Sequence, residues 1–233
     1  MEKKRRIIIA IDGPVGSGKS TVAKLLAKKL GFLYIDTGAM YRAVALKVFK
    51  KFGEKILNIN IENIKNYKKD IIEVLKNLDI KLTSDGKVFL DGEDITSQIR
   101  TPEISKISSP ISAIPEVRKR LVELQRKMGE KGSVVMEGRD IGTVVFPDAE
   151  LKIFLTASLK ERAKRRYLEL KEKGFKVSLK KIEEEIKIRD FNDSTRKIAP
   201  LKKTEEHIEI DTTNKSIKEV VGDIENLVNC VII

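Results

Sequence analysis

Apolar positions along this chain follow two periods, and the periods alternate. A continuous run, Ile7 to Ile11, has the length of a buried strand, and Thr21 to Leu30 behind it has the pattern of an amphipathic helix. Gly31 marks that helix's end. Phe32-Leu33-Tyr34-Ile35 then reads as a second strand, Asp36-Thr37-Gly38 as a turn, and Met40, Val44 and Val48 as one face of a second helix. The rhythm resumes with Pro115, suited to a first helical turn, followed by Val117, Leu121, Leu124 and Met128 on one face. Ser133 to Met136 and Leu151 to Leu155 read as strands. Ser158 and Glu161 form a capping box opening a helix to about Lys173. Gly174 breaks that helix, and another carries Ile182 and Ile186 inward. His207 to Asp211 is a last strand, with His207 expected to be structural. A second capping box, Ser216 and Glu219, opens a final helix with Ile217, Val220, Val221, Ile224, Leu227 and Val228 on one broad face. About five strands alternating with helices predict an α/β fold: a parallel sheet with right-handed crossovers, flanked by helices.

One segment departs from this rhythm. From about Gly53 to Pro110 a weakly amphipathic stretch, Ile56 to Leu78, precedes Ile80-Lys81-Leu82 and Val88-Phe89-Leu90, which flank Ser84-Asp85-Gly86-Lys87 as in a hairpin. This predicts a small α+β insertion on the core. No internal repeat and no low-complexity linker is present.

Composition narrows the class. The chain has 233 residues, 41% of them apolar, enough for a substantial core. A net charge of +12 raises nucleic-acid binding, but the charges alternate in sign along helices, as from Lys180 to Glu185, and aromatics are only 5%. The expectation is no nucleic-acid partner. One cysteine, Cys230, allows no internal disulfide, and one histidine makes a His-based metal site or triad improbable. Lys3-Lys4-Arg5-Arg6 before an apolar run has the order of a leader, but the run is too short, and no stretch is long enough to span a membrane. The expectation is a soluble, cytoplasmic monomer.

The chemistry begins where the first strand ends. Gly13-Pro14-Val15-Gly16-Ser17-Gly18-Lys19-Ser20 satisfies G-x-x-x-x-G-K-[ST], the phosphate-binding loop, between the expected strand and helix. Glycines let successive N–H groups turn toward one anion, and the helix following them directs its positive end to the same place. Lys19 adds charge for the β- and γ-phosphates, and the Ser20 hydroxyl can ligate Mg²⁺. Gly13 to Thr21 is therefore the candidate ATP site.

Ligands in parallel sheets bind at the carboxyl ends of strands, which places Glu137, Arg139 and Asp140 beside that loop. Arg42 lies in a first helical turn, a position that is mildly unfavourable unless an anion comes close. The basic helices around Gly174, with Arg162, Lys164, Arg165 and Arg166, suit a closing lid, at about 158–190. Arginine fits phosphoryl transfer because its fork binds phosphate bidentately and stays charged.

Four stretches together are similar to the bacterial cytidylate kinase family: Ile11 to Ser20; Asp36-Thr37-Gly38-Ala39-Met40-Tyr41-Arg42; Glu137 to Ala149; and Arg189-Asp190 through Asp193, with Arg196 and Ala199-Pro200-Leu201. The resemblance implies a P-loop kinase transferring the γ-phosphate of ATP to CMP or dCMP with Mg²⁺. It implies a core of residues 1–61 and 106–233, carrying a nucleotide-monophosphate-binding insertion at 62–105. It further implies that Arg42 and Arg139 grip the CMP phosphate, with Thr37, Ser109, Arg118 and Asp140 around the nucleoside and the last two at the cytosine edge. Arg189 and Asp193 would reach the ribose. Arg196, with Arg162 and Arg165, would neutralise the transferring phosphoryl group. Val15 departs from the small or hydroxyl residue common in the loop, Thr37 replaces a serine, and Glu137 stands where aspartate is frequent, as a further candidate Mg²⁺ ligand. The alternatives are a P-loop kinase for UMP or another small acceptor and, from a different class, a nucleic-acid-binding ATPase or nucleotide switch. No guanine-reading Asn-Lys-x-Asp occurs to favour a switch.

Overall fold

The computed structural model describes residues 7–232; the basic stretch Lys3 to Arg6, weighed above as a leader, lies outside them. In chain order the elements are β1 (Ile8–Asp12), α1 (Lys19–Leu30), β2 (Leu33–Asp36), α2 (Thr37–Phe52), α3 (Lys68–Lys76), β3 (Ile80–Leu82), β4 (Val88–Leu90), β5 (Glu93–Asp94), α4 (Pro102–Ser112), α5 (Pro115–Gly129), β6 (Val134–Gly138), β7 (Leu151–Thr156), α6 (Leu159–Glu172), α7 (Leu179–Thr195), β8 (Ile208–Asp211) and α8 (Ile217–Ile232). A π-helical turn, Ile141–Val145, follows β6.

Five strands form the main sheet, in the order β2-β6-β1-β7-β8. Central β1 runs parallel to β6, with Asp12 opposite Gly138, and parallel to β7, with Asp12 opposite Phe154. β8 runs parallel to β7. Ile9, Ala10 and Ile11 are fully buried, which is why β1 reads as an unbroken apolar run rather than an alternating one. α1 packs on β6 and α8, and α8 packs on β7. The architecture is the helix-flanked parallel α/β sheet that the alternating pattern predicts.

The chain divides into two compact units, one running to Leu33 and resuming at Lys131, the other Tyr34–Glu130. In the first, α6 and α7 form a helical hairpin with its own apolar cluster of Ala163, Leu170, Ile182 and Ile186, bordered by Tyr167, Phe175, Val177 and Val15 of the phosphate loop. In the second, α2 is central, packed by α3, α4 and α5, and Met40, Val44 and Val48 are buried as their spacing requires. The segment 62–105 lies within this second unit. Its strands β3, β4 and β5 form an antiparallel sheet.

The sequence pattern offers no separate helix between Gly92 and Pro115, yet α4 is there. Thr101 caps it by accepting the Ile104 N–H at 3.3 Å, and Ile104, Ile107 and Ile111 bury at helical spacing. Ser108-Ser109-Pro110 obscures that signal. Pro110 lies inside the helix, two residues before its end, and takes one N–H out of the ladder there.

Candidate active site

The phosphate loop leaves β1 through Gly13, whose φ of 148° and closeness to β7 both require glycine: a Cβ there would lie 2.0 Å from the Leu155 carbonyl oxygen. α1 begins at Lys19 behind Gly18, which has no side chain to cap it. The first-turn N–H groups are therefore left to an anion. Lys19 is buried and folds over its own loop, its Nζ donating to Pro14 C=O at 2.6 Å and to Ser17 Oγ at 3.3 Å. Burial, then the neighbouring Arg139, lowers its pKa to about 7 against the pull of Glu137 and Asp12.

Beside the loop, β6 carries buried Glu137 one residue before its end at Gly138, and the chain continues through Arg139 and buried Asp140. Arg139 Nε donates to Asp193 Oδ2 of α7 at 2.9 Å. Arg196 Nη1 lies 3.7 Å from Asp193, and its Nη2 lies 3.8 Å from Asp140. Burial alone would raise the Asp193 carboxyl, but Arg139, Arg189 and Arg196 outweigh it and hold the group below the usual carboxylate range. Asp193 C=O also accepts the Leu201 N–H at 2.8 Å, folding the segment after α7 back onto the site. Arg139, Asp140, Arg189, Asp193 and Arg196 thus form one charged network in the unit that carries Lys19.

Two arginines of α6 are engaged otherwise. Arg162 Nη1 donates to Asp190 at 2.6 Å and to the carbonyl of Val15 at 3.3 Å, while its Nε donates to Ala157 C=O. Arg165 donates to Glu161 and to both the hydroxyl and the carbonyl of Thr212. Buried Thr212, after β8, lies within hydrogen-bond reach of Ser17 C=O at 3.1 Å and Thr156 C=O at 3.0 Å through its hydroxyl. The loop, β7 and α6 meet at this threonine.

In the second unit, Asp36 caps α2 by accepting the Ala39 N–H at 2.8 Å. The same buried carboxylate receives Arg42 at 3.1 Å and Arg100 at 2.9 Å. α2 already begins at Thr37, so Asp36-Thr37-Gly38 is a helix start rather than a turn, and Arg42 lies in the second helical turn rather than the first; the Asp36 carboxylate is the anion beside it. Burial would raise the Asp36 carboxyl, but Arg42 and Arg100 outweigh it and hold the group below its ordinary value. Arg118 is buried in α5, its guanidinium 5.4 Å from the centre of the Tyr41 ring and its Nη1 donating to Ser112 C=O at 3.1 Å. Buried Thr37 opens α2, and half-buried Ser109 lies in α4.

The structure makes a specific demand of Asp36. Asp36→Asn keeps an N-cap but loses the charge that holds two arginines. The expected result is stability lowered by about 1 kcal/mol at pH 7. The stability gap should close in melts at falling pH, because a depressed carboxyl stabilises only above its unfolded pKa, and that contribution is lost as pH falls through the folded value. A gap unchanged at pH 3 would show that the Asp36 charge is not the cause.

Residues 9–230 match the protein-family model described as cytidylate kinase. The chain belongs to the cytidylate kinase family. The cytidylate kinase of Caldicellulosiruptor saccharolyticus is 53% identical over 226 residues, covering 96% of both chains. That of Caldanaerobacter subterraneus subsp. tengcongensis is 57% identical over 213 residues, covering 91% of this chain and 90% of its own. In fold, the chain resembles an uncharacterized protein from Eubacterium ventriosum, with a TM-score of 0.52 and 18% identity, covering 97% and 99% of the two chains.

Several residues of this family member escape sequence reasoning. Arg100 ends a short turn of the irregular segment and carries no local signal that it joins Arg42 on Asp36. Thr212 is one hydroxyl among many; only the folded chain gathers its partners. Val15 gains a physical account, since its side chain borders the α6–α7 cluster and its carbonyl receives Arg162. Arg118 lies off the main apolar face of its helix, and its burial is supported by the Tyr41 ring and the Ser112 carbonyl. Among the described residues, no cluster of three or more His, Cys, Asp or Glu side chains is placed to hold a metal, and no helix is long and apolar enough to cross a membrane.

Proposed function

We propose that this chain transfers the γ-phosphate of ATP to CMP and dCMP, giving CDP or dCDP and ADP. The observation that carries the reading is the Arg139–Asp193–Arg196–Asp140 network in the same compact unit as Lys19. It supplies rigid guanidinium groups, pre-oriented by carboxylates, next to a triphosphate loop. Phosphoryl transfer needs little covalent chemistry from the protein; it needs two anions held in line, their charge offset and water excluded.

In this reading the triphosphate lies along Gly13 to Thr21, and Lys19 exchanges its contact with Pro14 C=O for phosphate oxygens. Arg42 and Arg139 take the CMP phosphate. Thr37, Ser109, Arg118 and Asp140 surround the nucleoside, and Arg189 and Asp193 address the ribose. Arg196 neutralises the phosphoryl group in transit. Arg162 and Arg165 join it only by leaving Val15 and Thr212. The nucleophile is a phosphate oxygen, already anionic, so no general base is required. The donor set of Ser20 hydroxyl and buried Glu137 carboxylate suits Mg²⁺, which takes many of its ligands from water and phosphates. When bound, Mg²⁺ would offset charge on the β- and γ-phosphates. The α6–α7 hairpin acts as the lid, and residues 62–105 serve the monophosphate side. The enzyme works as a cytoplasmic monomer without nucleic acid, supported by interspersed surface charge and the lone exposed Cys230.

A coupled assay of ADP release tests this directly, with ATP, Mg²⁺ and each of CMP, dCMP, UMP, AMP and GMP. Strong turnover is expected with the two cytidine nucleotides, weak turnover with UMP and none above the blank with purines. Release no greater than the acceptor-free blank for every monophosphate would refute the assignment.

A further inference from the structure

Asp12 ends β1, the strand that delivers the phosphate loop, and its carboxylate is only 1% exposed. Its Oδ1 accepts the N–H of Ile141 and its Oδ2 the N–H of Gly142, each at 2.8 Å. These residues open the π-helical turn Ile141–Val145, which receives no side-chain cap from its own preceding residue, Asp140. A carboxylate from a distant strand supplies that cap instead. At the same junction, the Asp140 carbonyl accepts the N–H groups of Val144 at 2.9 Å and Val145 at 3.2 Å. The main chain at Asp140 is therefore fixed by its own turn and, through the next two residues, by Asp12. Isolated π-turns are uncommon and need such support.

The back of the carboxylate is also specified. The His207 side chain is fully buried, with Nε2 3.6 Å from Asp12 Oδ2. The Thr204 N–H lies 3.3 Å and its hydroxyl 2.8 Å from His207 Nδ1, which leaves Nε2 as the ring nitrogen that faces Asp12. A Cβ on Gly142 would come 2.9 Å from that Nε2 and 3.2 Å from Lys152 Cγ, so the turn reaches Asp12 only because residue 142 lacks a side chain.

We propose that Asp12 is a positioning residue for the acceptor-binding turn. It fixes the main chain of Ile141 and Gly142, and through it sets the direction of Arg139 and Asp140. The inference rests on the CMP-kinase reading of this site. Asp12→Asn tests it, because asparagine keeps the shape and one acceptor oxygen but turns an NH₂ toward one of the two N–H groups. The full chain is assayed with CMP and ATP varied separately, beside wild type, and melts are recorded for each protein. The expected result is kcat/KM for CMP lowered about a hundredfold with KM for ATP changed by less than about threefold. Equal losses for both substrates, or a lower melting temperature with both KM values unchanged, would overturn the proposal, since a merely structural role gives those results. Gly142→Ala displaces the same turn from the His207 side with Asp12 intact. The same CMP-selective loss is expected there, and this variant decides the question if Asp12→Asn does not fold. Wild type that fails to phosphorylate CMP would refute the functional reading. Active wild type with two variants showing no CMP selectivity would refute the positioning role alone.

Discussion

Replacing Lys19 with methionine is expected to lower kcat by about a thousandfold or more, and at the same time to raise the melting temperature of the nucleotide-free protein at pH 7 and below. The two effects share one cause. Lys19 is 5% exposed, next to Arg139, and its pKa falls from 10.5 to about 7. Burial and Arg139 outweigh the attraction of Glu137 and Asp12, so the buried ammonium destabilises the fold; a triphosphate adds counter-charge. The sign follows from linkage. Between pH 7 and 10.5 the unfolded chain binds the Lys19 proton and the folded chain does not, so this residue's contribution to stability rises with pH across that window. Methionine fills the same volume without a proton to lose. The variant's advantage in melting temperature should therefore be largest below pH 7 and shrink as pH rises toward 10. Melts of both proteins at pH 6 and pH 9 measure it, and a gap independent of pH would mean that Lys19 is not strained by its charge. Calorimetry adds a second reading: ATP binding at pH 8 should take up protons in wild type and fewer in Lys19→Met.

The residues involved show what a sequence reveals and what it hides. β1 and the loop after it were legible because both signals are local: an apolar run and a spacing of glycines with lysine. The alternating periods were enough for the sheet and its flanking helices, since burial of β1 on both faces removes any ambiguity of alternation. α4 is hidden because Ser108-Ser109-Pro110 has the composition of a breaker, although the helix continues through it to Ser112. The pattern places Arg42 one turn too early in its helix; the anion beside it, Asp36, is local, but the second arginine on that carboxylate, Arg100, lies 64 residues away. Asp12 was hidden for the same reason. Its donors are main-chain N–H groups from 129 and 130 residues away, and main-chain donors leave no mark on residue type. Lys19's depressed pKa depends on Arg139 and on burial, both properties of the folded chain. Periodicity reaches elements and motifs report chemistry, while the tuning of that chemistry comes from long-range contacts.

Substituting asparagine for Asp140 is expected to cut kcat/KM for CMP by about a hundredfold or more, and to narrow the preference for CMP over UMP by a similar factor. Cytosine offers an N4 amino donor, which a carboxylate accepts; uracil offers an O4 acceptor at the same position, which a carboxylate repels. In the proposed reading Asp140 faces that position; it is 4% exposed, with little water to soften a mismatch, and its carbonyl is held by the N–H groups of Val144 and Val145. Leaving two acceptors face to face in such a place is what gives discrimination far beyond a single hydrogen bond. Asparagine carries both an acceptor and a donor, and rotating its amide answers either base. The variant should therefore lose CMP turnover while gaining on UMP. The loss on CMP has a second source: Arg196, 3.8 Å from the Asp140 carboxylate, loses one of its two nearby anions. Arg118 separates the two sources. In the proposed reading, Arg118→Met removes donors to the ring nitrogen and the 2-carbonyl, which cytosine and uracil present in part alike, and it leaves Arg196 untouched. It should weaken both pyrimidines, with less change in their ratio than Asp140→Asn produces. Steady-state kinetics of both variants with CMP, dCMP and UMP decide the matter. If Asp140→Asn lowered CMP and UMP turnover in equal proportion, Asp140 would be acting through the arginine network rather than reading the base.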